Sequence, residues 1–348
     1  MTSNVHTPTG VLLVGSIPLS STDKVFTKIC SALRDRLYSI PDGETGIRGN
    51  YIGWELDCFP KEAIRYFLGG IDPPPGHLGF TLESIKPSQY DTAALDSYKR
   101  FTELRAQGII PQGIRFQVCL PSPLNCILGH TRPELYAELE PLYERRLLDA
   151  LANILKGIPA QDLAIQWDLC FEIATLELDR GNIPDDPFQT RAHFTPVLEG
   201  VLDRLERICA DIPVQVPVGF HICYADLDHK HFLPPKDLGL CVELANGILR
   251  RFESKQRPVQ WIHVPVPKDR DDIAYFESLS RLKIGEETRL FLGLVHANDE
   301  EGTRRRIRAA QSIITRPFGV ATECGMGRTP AEELDSILHI SKAVTDPV

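Results

Sequence analysis

The segment His221-Ile222-Cys223 places an imidazole and a thiol two residues apart. Residues i and i+2 of a β-strand point to the same face, so both side chains could reach one ion from a single strand. Zinc accepts imidazole nitrogen and thiolate sulfur in a tetrahedral shell, and Cys324, at the end of a later apolar run, could supply a third ligand. The alternative is a core cysteine beside a histidine that bonds to the backbone.

Other reactive side chains also stand where short apolar runs end. They are Ser16, Asp42, Glu44, Asp168, Asp226, His263, His296 and Glu323. This set is rich in carboxylates and in side chains that bind zinc, and it would be unusual for a purely structural rim. Asp226 is followed by His229 and His231, which are either spare ligands or solvated loop residues, and the pattern favours the loop interpretation.

The apolar runs that lead to these residues predict eight buried parallel strands. The runs cover residues 11–16, 36–40, 114–120, 163–169, 216–224, 259–266, 290–295 and 319–324. Helical patterns follow at residues 23–33, 133–155, 195–209, 236–252, 271–282, 300–314 and 329–340. Because parallel strands need a crossover, this alternation predicts the α/β class and a (β/α)8 TIM barrel. Active sites of such barrels lie at the carboxyl ends of the strands, where the reactive residues stand.

Residues 58–112 interrupt this alternation with an irregular sequence that includes Pro73-Pro74-Pro75-Gly76. We interpret this stretch as an insertion after the second strand, packed over the barrel mouth or used in an interface. The sequence has no internal repeat and no low-complexity linker, so a single barrel domain over residues 1–348 is preferred to two domains.

The composition narrows the class of protein. The 348 residues are 43% hydrophobic and 24% charged, which is typical of a globular chain and excludes a disordered or fibrous one. A formal net charge of −9 argues against a broad basic surface for nucleic acid or anionic membranes. Nine cysteines without framework spacing, and a polar start without a signal-peptide pattern, indicate a reduced cytoplasmic protein. The expected partner is a small-molecule substrate, and the chain could assemble as a homodimer.

Six segments resemble, in chain order, the strand ends of the catalytic C-terminal barrel of cobalamin-independent methionine synthase. They are Val14-Gly-Ser16, Asp42-Gly-Glu44, Gln166-Trp-Asp168, Gly219-Phe-His-Ile-Cys-Tyr224, Phe291-Leu-Gly-Leu-Val-His296 and Phe318-Gly-Val-Ala-Thr-Glu-Cys-Gly325. The segments are distributed along the whole chain, which therefore resembles a divergent member of this superfamily. Uroporphyrinogen decarboxylase, which needs no metal, shares the same barrel.

The resemblance implies a zinc-dependent transfer of a methyl or other alkyl group to a homocysteine-like thiol. The implied ligands of Zn²⁺ are His221, Cys223 and Cys324. A thiol held by the metal would lose its proton and become the nucleophile.

The same resemblance implies roles for the residues around the substrate. Glu44 and Asp168 are implied as catalytic residues that orient the substrate, together with Ser16, and His296 would protonate the leaving group. Arg48, in the loop after the second strand, could clamp a carboxylate through its planar fork or lie at the surface.

The sixth strand departs from the family pattern, which carries a glutamate ligand there. This strand reads Trp261-Ile-His-Val-Pro-Val-Pro267, so His263 is either a substitute fourth ligand or a rim residue that contacts the substrate. Without the carboxylate the site is less negative, which lowers the nucleophilicity of a bound thiolate and strengthens Lewis acidity. The N-terminal barrel that helps to hold polyglutamyl folate has no counterpart in this sequence.

These departures keep other functions open. A zinc-dependent lyase or hydrolase could use the same barrel site on a small oxygenated metabolite, with His296 as the acid–base group. A metal-free decarboxylase is a weaker alternative. A non-catalytic zinc-binding or small-molecule-binding protein is the last, although it would not need His296, Asp168 and Glu44 together.

Overall fold

The computed structural model describes residues 6–183, 185–224, 226–227, 230–231 and 234–348, and its centre is one eight-stranded parallel sheet. The strands, named β1 to β8, comprise Val11–Leu12, Ser39–Pro41, Arg115–Pro121, Leu163–Leu169, Val218–Ile222, Trp261–Pro265, Arg289–Val295 and Gly319–Thr322. The order β1-β8-β7-β6-β5-β4-β3-β2 pairs each strand with its neighbours along the chain.

The sheet curves until its two edge strands approach each other. Between β1 and β2 the ladder is replaced by separate bonds, in which the Val11 amide donates to the Arg36 carbonyl and the Ile17 amide donates to the Gly43 carbonyl, both at 2.8 Å. The sheet is therefore a nearly closed barrel, and the predicted (β/α)8 TIM barrel is confirmed.

Helices cover the outside of the barrel. The α-helices, named α1 to α10, comprise Thr22–Leu33, Tyr90–Ala106, Pro123–Ile127, Tyr136–Gly157, Phe171–Asp179, Val197–Cys209, Gly239–Ser254, Ile273–Phe276, Glu300–Ile313 and Leu334–Ala343. Short 3₁₀ helices lie at Gly46–Gly49, Glu55–Cys58, Tyr66–Leu68, Leu82–Ser84, Pro133–Leu135, Glu277–Arg281 and Ala331–Glu333. Within the described ranges, none of the helices combines the length and the apolar character needed to cross a bilayer.

The segment predicted as an insertion has two parts. Its first part consists of short 3₁₀ helices and loops, but its second part is α2, which packs against α1 and α4 and is a regular helix of the barrel. The sequence of α2 has weak amphipathic periodicity, which is why the helix was not predicted. After β5, Asp226–Leu227 pairs antiparallel with Lys230–His231, whereas His229 and the side chain of His231 lie outside the described residues.

The barrel interior changes from apolar to polar towards the carboxyl ends of its strands. Small and aromatic side chains fill the lower layer, where the ring of Trp261 lies so close to Gly219 that a Cβ there would be 1.9 Å from it. The buried side chains of Gln117 and Gln166 adjoin this layer, and the Trp261 ring donates to Gln166 at 3.3 Å. At the top, the ladder sets Asp168 of β4 opposite His221 of β5, and His221 opposite His263 of β6. The fold therefore places polar side chains of three adjacent strands in one row at the mouth.

Candidate metal centre

His221, Cys223 and Cys324 meet at the mouth of the barrel. Their ligand atoms all lie within 4.8 Å of one another, and the two Sγ atoms are 3.7 Å apart. The Sγ atom of Cys324 is also 3.7 Å from Nε2 of His221. A tetrahedral zinc ion with bonds of about 2.3 Å to sulfur places two thiolates about 3.8 Å apart, so these three side chains fit the ion.

The ligands come from opposite sides of the barrel. His221 lies on β5 and Cys223 directly after it, where its amide donates to the Leu169 carbonyl at 2.8 Å. Cys324 follows β8, and its carbonyl accepts a hydrogen bond of 2.7 Å from the Thr322 hydroxyl. The spacing of two residues on β5 directs both side chains inward.

His263 lies behind His221 rather than beside the two cysteines. Its Nδ1 atom is 2.6 Å from Nδ1 of His221, and its Nε2 atom is 3.1 Å from the Thr322 carbonyl oxygen. Both rings are buried. Burial lowers the pKa of His221 well below its usual range and that of His263 to about 3, so both imidazoles are neutral near pH 7.

A narrow cavity of about 70 Å³ adjoins the three candidate ligands. Ser16, Glu44 and Asp168, which the sequence predicts around a substrate, line this cavity. The hydroxyl oxygen of Ser16 accepts a bond of 3.0 Å from the Gly327 amide, so this serine also anchors the loop that follows Cys324. The predicted metal ligands and the predicted substrate residues therefore share one cavity.

The two acids in this cavity favour their protonated forms. Burial raises the pKa of Glu44 to about 8, the Asp42 carboxylate adds to this rise, and Arg48 opposes it. Burial, followed by the negative charge of Glu44, raises the pKa of Asp168 well above its usual range, although Gln166 donates to it at 2.9 Å. A cation placed between these two carboxyls would restore their charged forms.

Arg48 is directed away from the metal ligands. Its Nη2 atom donates to Oδ2 of Asp42 at 2.6 Å, and the hydroxyl of Ser97 donates to the same oxygen at 2.6 Å. Arg48 lines a separate cavity of about 20 Å³ behind Glu44. The structure thus places this arginine as the partner of Asp42, next to the 70 Å³ cavity and not in it.

His296 lines a second and larger cavity of about 460 Å³, which lies on the other side of Cys324. Its Nε2 atom donates to the Val266 carbonyl at 2.9 Å, so Nδ1 is the nitrogen that can accept a proton. Burial lowers the pKa of His296, and the nearby Glu323 carboxylate opposes part of this effect. Cys324 is common to the walls of both cavities.

Sequence reasoning missed three residues that line the 70 Å³ cavity: Tyr51, Cys170 and Arg328. The hydroxyl of Tyr51 is buried and has no hydrogen-bond partner among the described residues. Tyr51 and Arg328 lie in loops, where no periodicity marks a side chain as inward-facing. For Cys170, its position directly after β4 was the signal that could have been used.

The fold and the site define a (β/α)8 barrel with a candidate metal centre at the carboxyl ends of its strands. No protein-family profile matches the chain, and no curated protein matches it by sequence. Among solved structures, the chain is similar to a candidate vitamin-B12 independent methionine synthase from Listeria monocytogenes. The identity is 14%, the match covers 98% of both chains, and the TM-score is 0.53.

A second similar structure is a B12-independent methionine synthase from Shewanella sp. W3-18-1 in complex with selenomethionine. The identity is 13%, the match covers 97% of this chain and 96% of that chain, and the TM-score is 0.52. The resemblance to methionine synthase barrels is therefore confirmed at the level of the fold.

Proposed function

We propose that this protein is a zinc enzyme that transfers a methyl or other alkyl group to the thiol of a homocysteine-like amino acid. The observation that carries the proposal is the shared cavity, in which His221, Cys223 and Cys324 face the acids Glu44 and Asp168. A methionine synthase fold supports it, because the similar structures are described as enzymes of that kind. Zinc, when bound, would supply a thiolate at neutral pH by lowering the pKa of a coordinated thiol.

The side chains of the cavity account for recognition of an amino acid. The ammonium group would lie between Glu44 and Asp168, whose charged forms a cation at that position would favour. The buried hydroxyl of Tyr51, which has no hydrogen-bond partner among the described residues, would donate to the carboxylate group.

The second cavity would hold the alkyl donor. The substrate thiolate would attack the transferred carbon, so that a sulfur–carbon bond forms as the bond from that carbon to the leaving group breaks. The leaving group would take a proton from Nδ1 of His296, and this proton would balance the one released by the thiol. Because Cys324 borders both cavities, the two reactants would meet at the metal centre.

Elemental analysis and X-ray absorption of the purified protein test this proposal. We expect about one zinc per chain, and a Cys223→Ser/Cys324→Ser variant without zinc. Saturating homocysteine should add one sulfur to the metal shell. Stoichiometric zinc without an added sulfur would overturn the transferase proposal, and absence of zinc from freshly prepared, reduced protein would overturn both zinc mechanisms.

A zinc-dependent lyase or hydrolase acting on a small oxygenated metabolite is the second candidate. It is favoured by the ligand set, since the three grouped side chains include no carboxylate and leave one position open for water or a carbonyl oxygen. This candidate requires turnover of a carbonyl compound without any thiol. Such turnover should be lost in His296→Ala.

A further inference from the structure

His221 and His263 form a pair of buried imidazoles on adjacent strands. They are opposite each other in the ladder between β5 and β6, and their Nδ1 atoms are 2.6 Å apart. Their side chains are almost inaccessible, with residue exposures of 3% for His221 and 0% for His263. Two neutral imidazoles at this distance must share one proton, so one Nδ1 donates and the other accepts.

The Thr322 carbonyl decides which ring donates. A carbonyl oxygen can only accept, so Nε2 of His263, 3.1 Å from it, must carry a proton. A neutral imidazole has one N–H group, and Nδ1 of His263 is therefore the acceptor. His221 donates from Nδ1, which leaves the lone pair of its Nε2 atom towards Cys324, 3.7 Å away.

We propose that His263 is a positioning residue, which fixes the tautomer and the ring orientation of His221 so that Nε2 of His221 is ready to bind the metal. This inference rests on the proposed zinc site. A hydrogen-bonded chain then runs from Thr322 through His263 to His221. Because the Thr322 hydroxyl also bonds to the Cys324 carbonyl, the same residue connects the ligands of β5 and β8.

The alternative role of His263 as a fourth ligand conflicts with these contacts. To bind a metal, a ring nitrogen of His263 would have to give up its contact with Nδ1 of His221 or with the Thr322 carbonyl. Both groups lie inside the barrel, where a polar atom without a partner is unfavourable. In the positioning role, every ring nitrogen of the pair has an assigned partner.

Nitrogen NMR of the metal-free protein labelled with [15N]histidine tests the tautomers directly. We expect His221 as the Nδ1–H form and His263 as the Nε2–H form, with the signals assigned by His221→Asn and His263→Asn. His221 in the Nε2–H form, or rapid averaging of both forms, would overturn the proposal. This measurement needs neither zinc nor turnover.

Zinc affinity, measured by competition with a chelator, tests whether His263 supports metal binding by His221. Asparagine can place an acceptor oxygen where Nδ1 of His263 stands, whereas alanine cannot. We expect His263→Ala to weaken zinc binding 10–100-fold and His263→Asn to stay within about threefold of the wild type. His339→Asn, on the exposed face of α10, is the matched control and should leave the affinity unchanged.

The cobalt(II) form separates positioning from ligation. Under the proposal, His263→Asn keeps the ligand-field spectrum of the wild type, because no ligand has been removed. Equal losses of affinity in both His263 variants, together with an altered cobalt spectrum, would show that His263 is a ligand. A wild-type protein that binds no zinc would overturn the proposed function and the metal role of His263, and the NMR result would then report only on the imidazole pair.

Discussion

Glu44 and Asp168 determine which molecules the cavity can accept. Two carboxyls that face one small space repel each other when both are charged, and burial makes each charge more costly. An ammonium group relieves both effects at once. A neutral or anionic group at the same position would relieve neither, so under the proposed function these two residues would select amino-acid substrates.

Replacing Asp168 by asparagine should therefore weaken selection for the amino group, since only Glu44 would remain to compensate its charge. We expect homocysteine to bind 10–100-fold more weakly, since hydrogen bonds to charged groups contribute about 1.5–3 kcal/mol. Binding of 4-mercaptobutanoate, which lacks only the amino group, should change little. Calorimetric titration of both thiols measures the ratio, with Asp179→Asn at the exposed end of α5 as the control. A variant that prefers homocysteine as strongly as the wild type does would refute this role.

At the scale of single residues, the three candidate metal ligands were easier to predict from the sequence than the other residues that line the cavity. His221 and Cys223 were recognisable because strand geometry relates residues two positions apart, and Cys324 because it closes an apolar run. Tyr51 belongs to a loop, and its approach to the cavity depends on how distant segments pack. The pairing of His263 with His221 depends on strand register, which no local pattern reveals.

At the scale of elements, the loop after β8 controls the position of Cys324. Ser16, after β1, accepts the amide of Gly327 through its hydroxyl, and its carbonyl accepts the amide of Met326 at 2.7 Å. The first and last strands are neighbours in the barrel, so the two ends of the described chain together support one metal ligand. A change in this loop should reach the metal centre without touching it.

Gly327→Ala tests this coupling. A Cβ at position 327 would lie 2.9 Å from the side chain of Ser16 and 3.0 Å from the Gly49 carbonyl, so the loop must shift. We expect zinc affinity to fall about tenfold, as for other losses of support around a metal ligand. Gly285→Ala is the matched control, because a Cβ there meets nothing within 4 Å. Equal zinc affinities in the two variants would contradict the coupling.

The strands were predicted better than the connections between them. Parallel strands buried on both faces appear as apolar runs, and β4 is buried at every position, so its predicted bounds match those of the structure. The predicted first strand is longer than β1, because the chain leaves the ladder after Leu12 to form the loop that carries Ser16. Helices α2, α3 and α5 were not predicted. The sequence of α2 lies in a segment that resembles a loop, and α3 and α5 begin directly after strands, so that their sequences resemble the ends of those strands.

At the scale of the whole molecule, buried acids set the pH dependence of stability. Glu44 and Glu172 have pKa values of about 8 and about 7, against an ordinary value of 4.5. The folded chain therefore binds more protons than the unfolded chain between about pH 4.5 and pH 8, so stability falls as the pH rises through this range. Buried histidines such as His130, with a pKa of about 4, act in the opposite sense, but only below about pH 6.5.

The metal-free protein should accordingly lose stability from pH 6.5 to pH 8. Each additional proton that the folded chain binds, relative to the unfolded chain, changes the free energy of unfolding by at most about 1.4 kcal/mol per pH unit. Urea unfolding at four pH values measures the slope. Glu44→Gln should flatten the upper half of the range and Glu172→Gln the lower half, because glutamine does not titrate. A stability that rises over this interval would show that the two carboxyls are ionised in the folded protein.

The position of the metal ligands along the chain has a consequence for unfolding. His221 and Cys324 are 103 positions apart, so an ion bound by both closes a long loop. The ion holds both ligands only in the folded state and is released when the site opens, so its binding free energy adds to the free energy of unfolding. We expect the melting temperature to rise with free zinc and to fall with a chelator, whereas Cys324→Ser should respond to neither. An ion at the mouth of the barrel would then connect two distant parts of the chain. Both the proposed chemistry and the thermal stability would depend on the same three side chains.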